Sequence, residues 1–122
     1  MKSYSFPREL RLLTPSQFSR IFDHPIKAVS DHFTLLAKFN NEQSPRLGLT
    51  IAKKKEKTAV GRNRIKRIIR ESFRLNQHNL PNIDIVVLAR DHIGKADNKQ
   101  LQRQLNKLWK KIAQRSENSL KK

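Results

Sequence analysis

The sequence predicts an α+β fold in one domain, with the element order α-β-β-β-α-β-α. Two observations predict this class. Segments in which apolar and polar residues alternate, as on half-buried strands, are separated by segments in which apolar residues recur at helical spacing. The chain has 122 residues and 36% hydrophobic content, which suffices for one core and not for two ordinary domains. This order favours a four-stranded sheet with helices packed against it, two of them on one face.

The first helix is predicted from its capping residues. Thr14 can cap the helix, Pro15 suits the first helical position, and Gln17 completes a capping box. The helix ends before Pro25, since a residue that precedes proline is disfavoured in the helical region. Residues 1–13 are expected to form an extended arm, so the domain begins at residue 14.

Four strands are predicted. Residues 26–30 form a short one, and the alternating segments 33–40 and 46–53 predict an antiparallel meander with one buried and one open face. The run IDIVVLA at residues 83–89 predicts a central strand, buried on both sides apart from Asp84. The open face of the meander carries small or polar residues and one leucine: Thr34, Leu36, Lys38, Thr50 and Ala52.

The second helix lies in the segment KKKEKTAVGRNRIKRIIRESFR, residues 53–74, which has ten Lys or Arg against two Glu. It is predicted from about Thr58 onward. Steps of about 100° per residue place five apolar residues on one side. These are Ile65, Ile68, Ile69, Phe73 and Leu75. The adjacent side carries Arg62, Asn63, Lys66, Arg67, Arg70 and Arg74.

The last helix begins at Asp97, which can cap it together with Gln100. Its apolar residues fall on one stripe at a spacing of 3.6 residues, namely Leu101, Leu105, Leu108, Trp109 and Ile112. The domain is predicted to end at residue 115, and residues 116–122 to form a disordered basic tail.

No constellation typical of a protein active site is present in the sequence. The four histidines lack a metal-ligand spacing such as HExxH, the ten acids are dispersed, and there is no cysteine. The three glycines form no phosphate-binding loop. We therefore expect no catalytic residue and no metal site. No apolar run has the length to cross a bilayer and charges interrupt the N-terminus, so we expect a cytoplasmic protein.

The cations of the second helix point to a polyanionic partner. A net charge of +17 and a pI near 11.1 are extreme for this length. A charge run is usually a solvated face. Here the charges have nearly one sign and cannot pair at i,i+4, and arginine, which suits bidentate phosphate contacts, predominates. Free N–H groups at the helix start near Thr58 would add anion affinity. These features favour nucleic-acid contact.

A second candidate surface involves the first helix. Phe18 and Phe22 lie four residues apart, with Ile21 beside them. Most such pairs are core residues. Beside the shallow open sheet face with its cations, they could instead form a stacking platform for a single strand. Both interpretations stay open on spacing alone.

The run AVGRNRIKRIIRESF, residues 59–73, closely resembles the signature of the protein subunit of bacterial ribonuclease P. The Arg-Asn-Arg triplet followed by Lys-Arg and a further Arg is typical of the family's RNR helix. Other segments agree in order: residues 18–22, RLGL at 46–49 running into Lys53 and Lys54, and DIVVLAR at 84–90. The resemblance extends over residues 8–112.

The resemblance implies an RNA-binding accessory subunit of an endoribonuclease. In that family the RNA subunit hydrolyses precursor tRNA at the 5′ end of the mature sequence, using magnesium ions. The small basic protein binds this RNA and improves recognition of the 5′ leader. The implied partners are therefore the catalytic RNA and precursor tRNA, without a membrane or DNA. Mg²⁺ would belong to the RNA, and no cofactor to the protein.

The resemblance also implies two RNA-binding surfaces. The one for catalytic RNA comprises Arg62, Asn63, Arg64, Lys66, Arg67 and Arg70. The one for the 5′ leader comprises Phe18 and Phe22, with Leu36 and Thr50 in its floor and Lys53, Lys54 and Arg90 at its rim. The family further implies a left-handed crossover from the third strand through the RNR helix to the fourth, against the usual right-handed rule.

Two departures from the family pattern matter. Leu36 stands where an aromatic residue is expected in many relatives, which would weaken stacking. Residues 55–58 lack the glycine often found there, which leaves the approach to the second helix open. The alternatives are a structural ribosomal or other RNA-binding protein with no role in cleavage, and a protein-only nuclease.

Overall fold

A computed structural model describes residues 15–120, without the side chains of Pro15 and Gln17. The predicted arm and the capping box at Thr14 and Gln17 therefore lie outside what the structure describes. The predicted element order is confirmed. The elements are α1 (Pro15–Ile21), β1 (Ile26–Val29), β2 (Phe33–Phe39), β3 (Arg46–Thr50), α2 (Ala59–Asn76), β4 (Ile83–Ala89) and α3 (Asn98–Leu120), with 3-10 turns at Gln77–Asn79 and Ile93–Lys95.

The four strands form one mixed sheet in the order β1-β2-β4-β3. Strand β4 is central as predicted, antiparallel to β2 and parallel to β3. The predicted meander is therefore wrong, since β2 and β3 are not neighbours. Alternation shows which face a residue takes and not which strand it pairs with. The parallel pair β3–α2–β4 is a βαβ unit, and the left-handed sense of its crossover stays a prediction.

The helices pack on both faces of the sheet. Helices α2 and α3 cover one face, where Phe33, Leu35 and Ile85 are fully buried in the main core. Helix α1 lies on the opposite face and buries Ile21 against Leu36 and Val86, with Phe18 and Leu88 partly buried beside them. The face predicted to be open is therefore partly covered by α1.

The buried side of α2 and the end of α3 differ from the prediction. Leu75 is 52% exposed, so its predicted place on the buried side of α2 is wrong. Ser72 is buried there instead, and its hydroxyl accepts a hydrogen bond from Trp109 Nε1 at 2.8 Å. Helix α3 continues to Leu120, beyond the predicted domain end at residue 115, and Ser116 within this extension is fully buried.

Asp84 was expected to be the exposed residue of β4 and is fully buried. Arg46 donates to both of its oxygens at 2.7 Å, Asn40 Nδ2 donates to Oδ1 at 2.8 Å, and Arg20 forms a further ion pair. Burial disfavours the ionised carboxyl, yet these hydrogen bonds and charges outweigh it and hold the pKa of Asp84 below its ordinary value. A residue that looked solvent-facing therefore joins α1, β3 and β4.

Candidate nucleic-acid interface

The start of α2 is capped by side chains of the preceding loop. Thr58 is the N-cap, and its hydroxyl accepts from the Gly61 N–H at 3.0 Å. Glu56 Oε1 accepts from the Thr58 N–H at 3.0 Å and from the Thr58 hydroxyl at 3.1 Å. These two bonds, with the nearby charges of Arg64 and Arg62, hold the pKa of Glu56 below its usual range. The protein's own carboxylate therefore lies where an external anion was expected.

Glu56 is fitted between two glycines. A Cβ atom on Gly61 or on Gly94 would collide with its carboxylate group. Gly94 belongs to the 3-10 turn that follows β4, so Glu56 joins this turn to the start of α2. The approach to α2, which the sequence left open, is fixed by this carboxylate rather than by a glycine in the connecting loop. Its signal in the sequence was an isolated acid two residues before a capping threonine.

The polar side of α2 presents an uninterrupted row of charged and amide groups. Asn63, Arg67 and Arg70 are exposed, and Lys66 is half-buried. None of these four residues has an ion pair with another described residue. Arg62 donates to the carbonyl oxygens of residues 56 and 57 at 3.0 Å each, which fixes its position without neutralising its charge. The cations of the α2 row therefore remain available to a polyanion.

Two arginines of this helix do not belong to the row. Arg74 forms an ion pair with Glu71, three residues earlier, a spacing that the i,i+4 argument from the sequence did not include. Arg64 lies about 200° around the axis from Arg62. It donates to Asn98 Oδ1 at 2.6 Å and to the Ala96 carbonyl at 3.3 Å. Arg64 thus faces the start of α3, away from the row, a placement that depends on tertiary contacts.

The predicted 5′-leader residues lie on the face that carries α1. Phe22 is 52% exposed at the end of α1, whereas Phe18 is half-buried. Leu36 is only 7% exposed because α1 lies over it, so its predicted place in an open floor is wrong. Thr50, at the end of β3, is exposed. Of these four residues, Phe22 and Thr50 offer accessible surface, and Phe18 is accessible only in part.

The three cations at the predicted rim lie at one edge of the sheet. Lys53 and Lys54 follow β3, Arg90 follows β4, and all three are exposed. Because β3 and β4 are parallel neighbours, their carboxyl ends meet at the same edge. An ion pair between Lys55 and Asp91 joins the two following segments there. Arg90 Nη1 also donates to the Ser30 carbonyl at 2.6 Å. The structure therefore brings the rim residues together.

The described residues contain neither a metal-binding group nor a membrane-spanning helix. Within residues 15–120, no three His, Cys, Asp or Glu side chains are grouped so that they could hold a metal ion. None of the helices in that range is long and apolar enough to cross a membrane. Within the described residues, cationic side chains are concentrated on α2 and at the ends of β3 and β4.

Comparisons with known proteins identify the family of this chain. The family model described as Ribonuclease P matches residues 6–113. The ribonuclease P protein component of Pseudoalteromonas translucida is 56% identical over 115 residues, covering 94% of this chain and 82% of the relative. A Staphylococcus aureus RNase P protein mutant with defective mRNA degradation activity superposes with a TM-score of 0.79 at 31% identity, covering 84% of this chain and 87% of the other.

The RNase P protein from Thermotoga maritima superposes with a TM-score of 0.74 at 30% identity, covering 83% of this chain and 96% of that protein. Sequence and fold thus agree over most of both chains. The chain belongs to the ribonuclease P protein family, whose members are the RNA-binding subunits that assist the processing of tRNA 5′ ends.

Proposed function

We propose that this chain binds the ribonuclease P RNA through the α2 row and the single-stranded 5′ leader of precursor tRNA through the face beside α1. The observation that carries the first part is the accessible group Asn63, Lys66, Arg67 and Arg70, which has no carboxylate partner among the described residues. Arg62 adds its charge at the amino-terminal end of the row. Arg64 supports the surface indirectly, since it holds the start of α3.

The leader surface is supported by an accessible aromatic side chain at one end of the sheet face, beside the start of β4, and by a cationic edge at the other, beyond its end. Phe22 offers a face for base stacking, and Lys53, Lys54 and Arg90 offer charges for the backbone. Leu36 contributes only as packing beneath α1, and Thr50 offers a hydroxyl at the edge of the remaining open face. A single strand lying across this face from Phe22 to the cationic edge would use few stacking contacts and several phosphate contacts.

The subunit is accessory to an endoribonuclease whose catalysis lies in the RNA. In this proposal the magnesium ions are bound by the RNA, and the protein supplies binding and orientation. The cytoplasm, where precursor tRNA is processed in bacteria, is its proposed location. Its contribution to the rate would be largest at low magnesium, where phosphate repulsion within the RNA is screened least.

The α2 surface is tested by Arg67→Ala with Arg70→Ala. Both side chains are exposed and have no ion pair with a described residue, so the fold should survive. Affinity for ribonuclease P RNA should fall about tenfold or more, and the slope of log K against log salt should decrease by about two. The matched control is Lys27→Ala with Lys95→Ala, two exposed cations outside the α2 row and outside the rim of Lys53, Lys54 and Arg90. If both variants bind alike, the row is only a solvated face.

The leader surface is tested by Phe22→Ala. The side chain is 52% exposed, so truncation should leave stability nearly unchanged. Loss of one stacked base should lower affinity for leader-bearing precursor tRNA by about 1–3 kcal/mol and leave affinity for mature tRNA unchanged. Leu75→Ala is a matched control, because Leu75 is also 52% exposed and lies on α2. If Phe22→Ala lowered affinity equally for leader-bearing precursor tRNA and for mature tRNA, the role of Phe22 would be structural.

A further inference from the structure

Helix α3 carries a second cationic surface that the sequence prediction did not use. Between Asn98 and Leu120 it has six Lys or Arg against one Glu. Five of these cations fall within an arc of about 120° on the side opposite the buried stripe. We define them as the α3 row: Lys99, Arg103, Lys107, Lys110 and Lys111. All five are exposed.

The α3 row is not neutralised by the part of the chain that the structure describes. No carboxylate of residues 15–120 forms an ion pair with any of the five. Two acids lie near the row without pairing: Asp31 shares a shallow hollow of about 240 Å³ with Arg103 and Lys107, and Glu117 lines another hollow with Lys110. Three like-charge pairs follow one another at i,i+4 along Lys99, Arg103, Lys107 and Lys111, an arrangement that destabilises an isolated helix. An ordinary solvated face would intersperse acids.

The α3 row points away from the α2 row. The side of α2 that faces α3 carries Arg64, bonded to Asn98, and Ser72, bonded to Trp109. The α2 row lies on the other flank of that helix. On α3, Gln102 and Asn106 line the groove toward α2, and further along the helix Lys110 shares a hollow with Asn76 and Glu117. Where Gln102 and Asn106 face α2, the two rows are separated by uncharged side chains and by Glu71, so one RNA strand lying on the α2 row does not cover the α3 row.

We propose that the α3 row binds the phosphate backbone of a second, double-helical RNA segment, so that the protein holds two RNA elements at once. This rests on the RNA-binding role proposed above. A duplex is favoured over a single strand because the exposed side of α3 has no aromatic residue for stacking, its tryptophan being buried. Four of the five cations are lysines, which act as point charges and suit sequence-independent backbone contact. The row is about 18 Å long from Lys99 to Lys111.

The proposal is tested by the salt dependence of binding to ribonuclease P RNA. Arg103→Gln with Lys107→Gln should weaken binding about three- to tenfold and reduce the slope of log K against log salt by about two. Lys27→Gln with Lys95→Gln removes the same charge from exposed sites outside both rows. An α3 variant that matches this control overturns the proposal. The variant Arg67→Ala with Arg70→Ala, measured alongside, reports separately on the α2 row.

A second measurement locates the bound element. The chain has no cysteine, so Gln114→Cys places a unique thiol on the exposed side of α3 for an iron chelate that cleaves nearby RNA. Cleavage should fall on paired segments of the ribonuclease P RNA, and Arg103→Gln with Lys107→Gln should remove it. The α2 variant should leave the pattern in place wherever binding is saturated. Absence of cleavage at saturation, or cleavage confined to single strands, overturns the proposal.

Discussion

Asp84 shows how one buried carboxylate can organise several elements. Its oxygens accept hydrogen bonds from Arg46 and Asn40, and its charge pairs with Arg20 of α1. Arg46 is 15% exposed and Arg20 is 42% exposed, so the carboxylate is desolvated much more than its partners. A buried charge is stable only when such partners compensate it. Helix α1, which presents Phe22, is therefore held to the sheet partly through this residue.

Asp84→Asn should destabilise the fold by about 3 kcal/mol, because it leaves the partly buried Arg46 with only the exposed and more distant carboxylate of Glu42, at 3.8 Å, as a counter-charge. The pKa of Asp84 is lowered in the folded state, so its stabilisation is present above the unfolded pKa of about 3.9 and is lost as pH falls through the folded value. Urea unfolding of both proteins should show a full difference above about pH 5 and a shrinking one below about pH 4. A difference independent of pH would contradict the role of the charge. Asp91→Asn, at an exposed pair, is the control.

At the scale of elements, the helical spacing of apolar residues predicted which side of each helix is buried, whereas the alternation in the strands did not predict which strands pair. The buried residues Ile65, Ile69 and Phe73 follow from 3.6-residue spacing, and so does the adjacent cationic side. The insertion of β4 between β2 and β3 did not follow, because alternation carries no pairing information. Burial of Leu36 depends on where α1 lies, and the direction of Arg64 depends on α3. Local spacing thus predicted the composition of the cationic side of α2, and the family resemblance supplied the leader residues. Tertiary contacts decide which members of both sets are accessible.

The contact between α2 and α3 includes one hydrogen bond between buried groups. Trp109 Nε1 donates to Ser72 Oγ at 2.8 Å, and the Trp109 ring meets Phe73 edge to face with centroids 5.8 Å apart. Ser72→Ala leaves the indole N–H buried without an acceptor, so we expect a loss of about 1–3 kcal/mol in the free energy of unfolding.

The matched control for Ser72→Ala is Ser116→Ala. Ser116 is also buried on a helix, but its hydroxyl donates to the Ile112 carbonyl of its own helix. That carbonyl still accepts its backbone hydrogen bond within the helix after the substitution. The loss in the free energy of unfolding should therefore be well below that of Ser72→Ala. Urea midpoints at constant m-value measure both variants. If the two substitutions lower the free energy of unfolding by the same amount, the hydrogen bond between the helices makes no specific contribution.

At the scale of the whole molecule, charge and stability are opposed. The formal net charge is +17, and the α2 and α3 rows concentrate like charges on single helices. Such self-repulsion destabilises the compact state of the free protein and is relieved by screening or by a bound polyanion. The same cations that weaken the isolated fold therefore supply its affinity for RNA.

Because like charges destabilise the free protein and also bind RNA, we expect salt to stabilise the free protein and to weaken its stabilisation by RNA. Raising salt from about 50 to 200 mM should increase the melting temperature of the free protein, because repulsion among the cations is screened. At low salt, RNA at about 100 times its dissociation constant should add about 2.7 kcal/mol of stability. The same rise in salt should remove most of that increment, because counterion release weakens binding steeply. Calorimetric melting curves with and without RNA at both salt concentrations should therefore converge as salt rises. Salt that destabilised the free protein would show that its cations are already balanced internally, and the polyphosphate interpretation of both rows would fail with it.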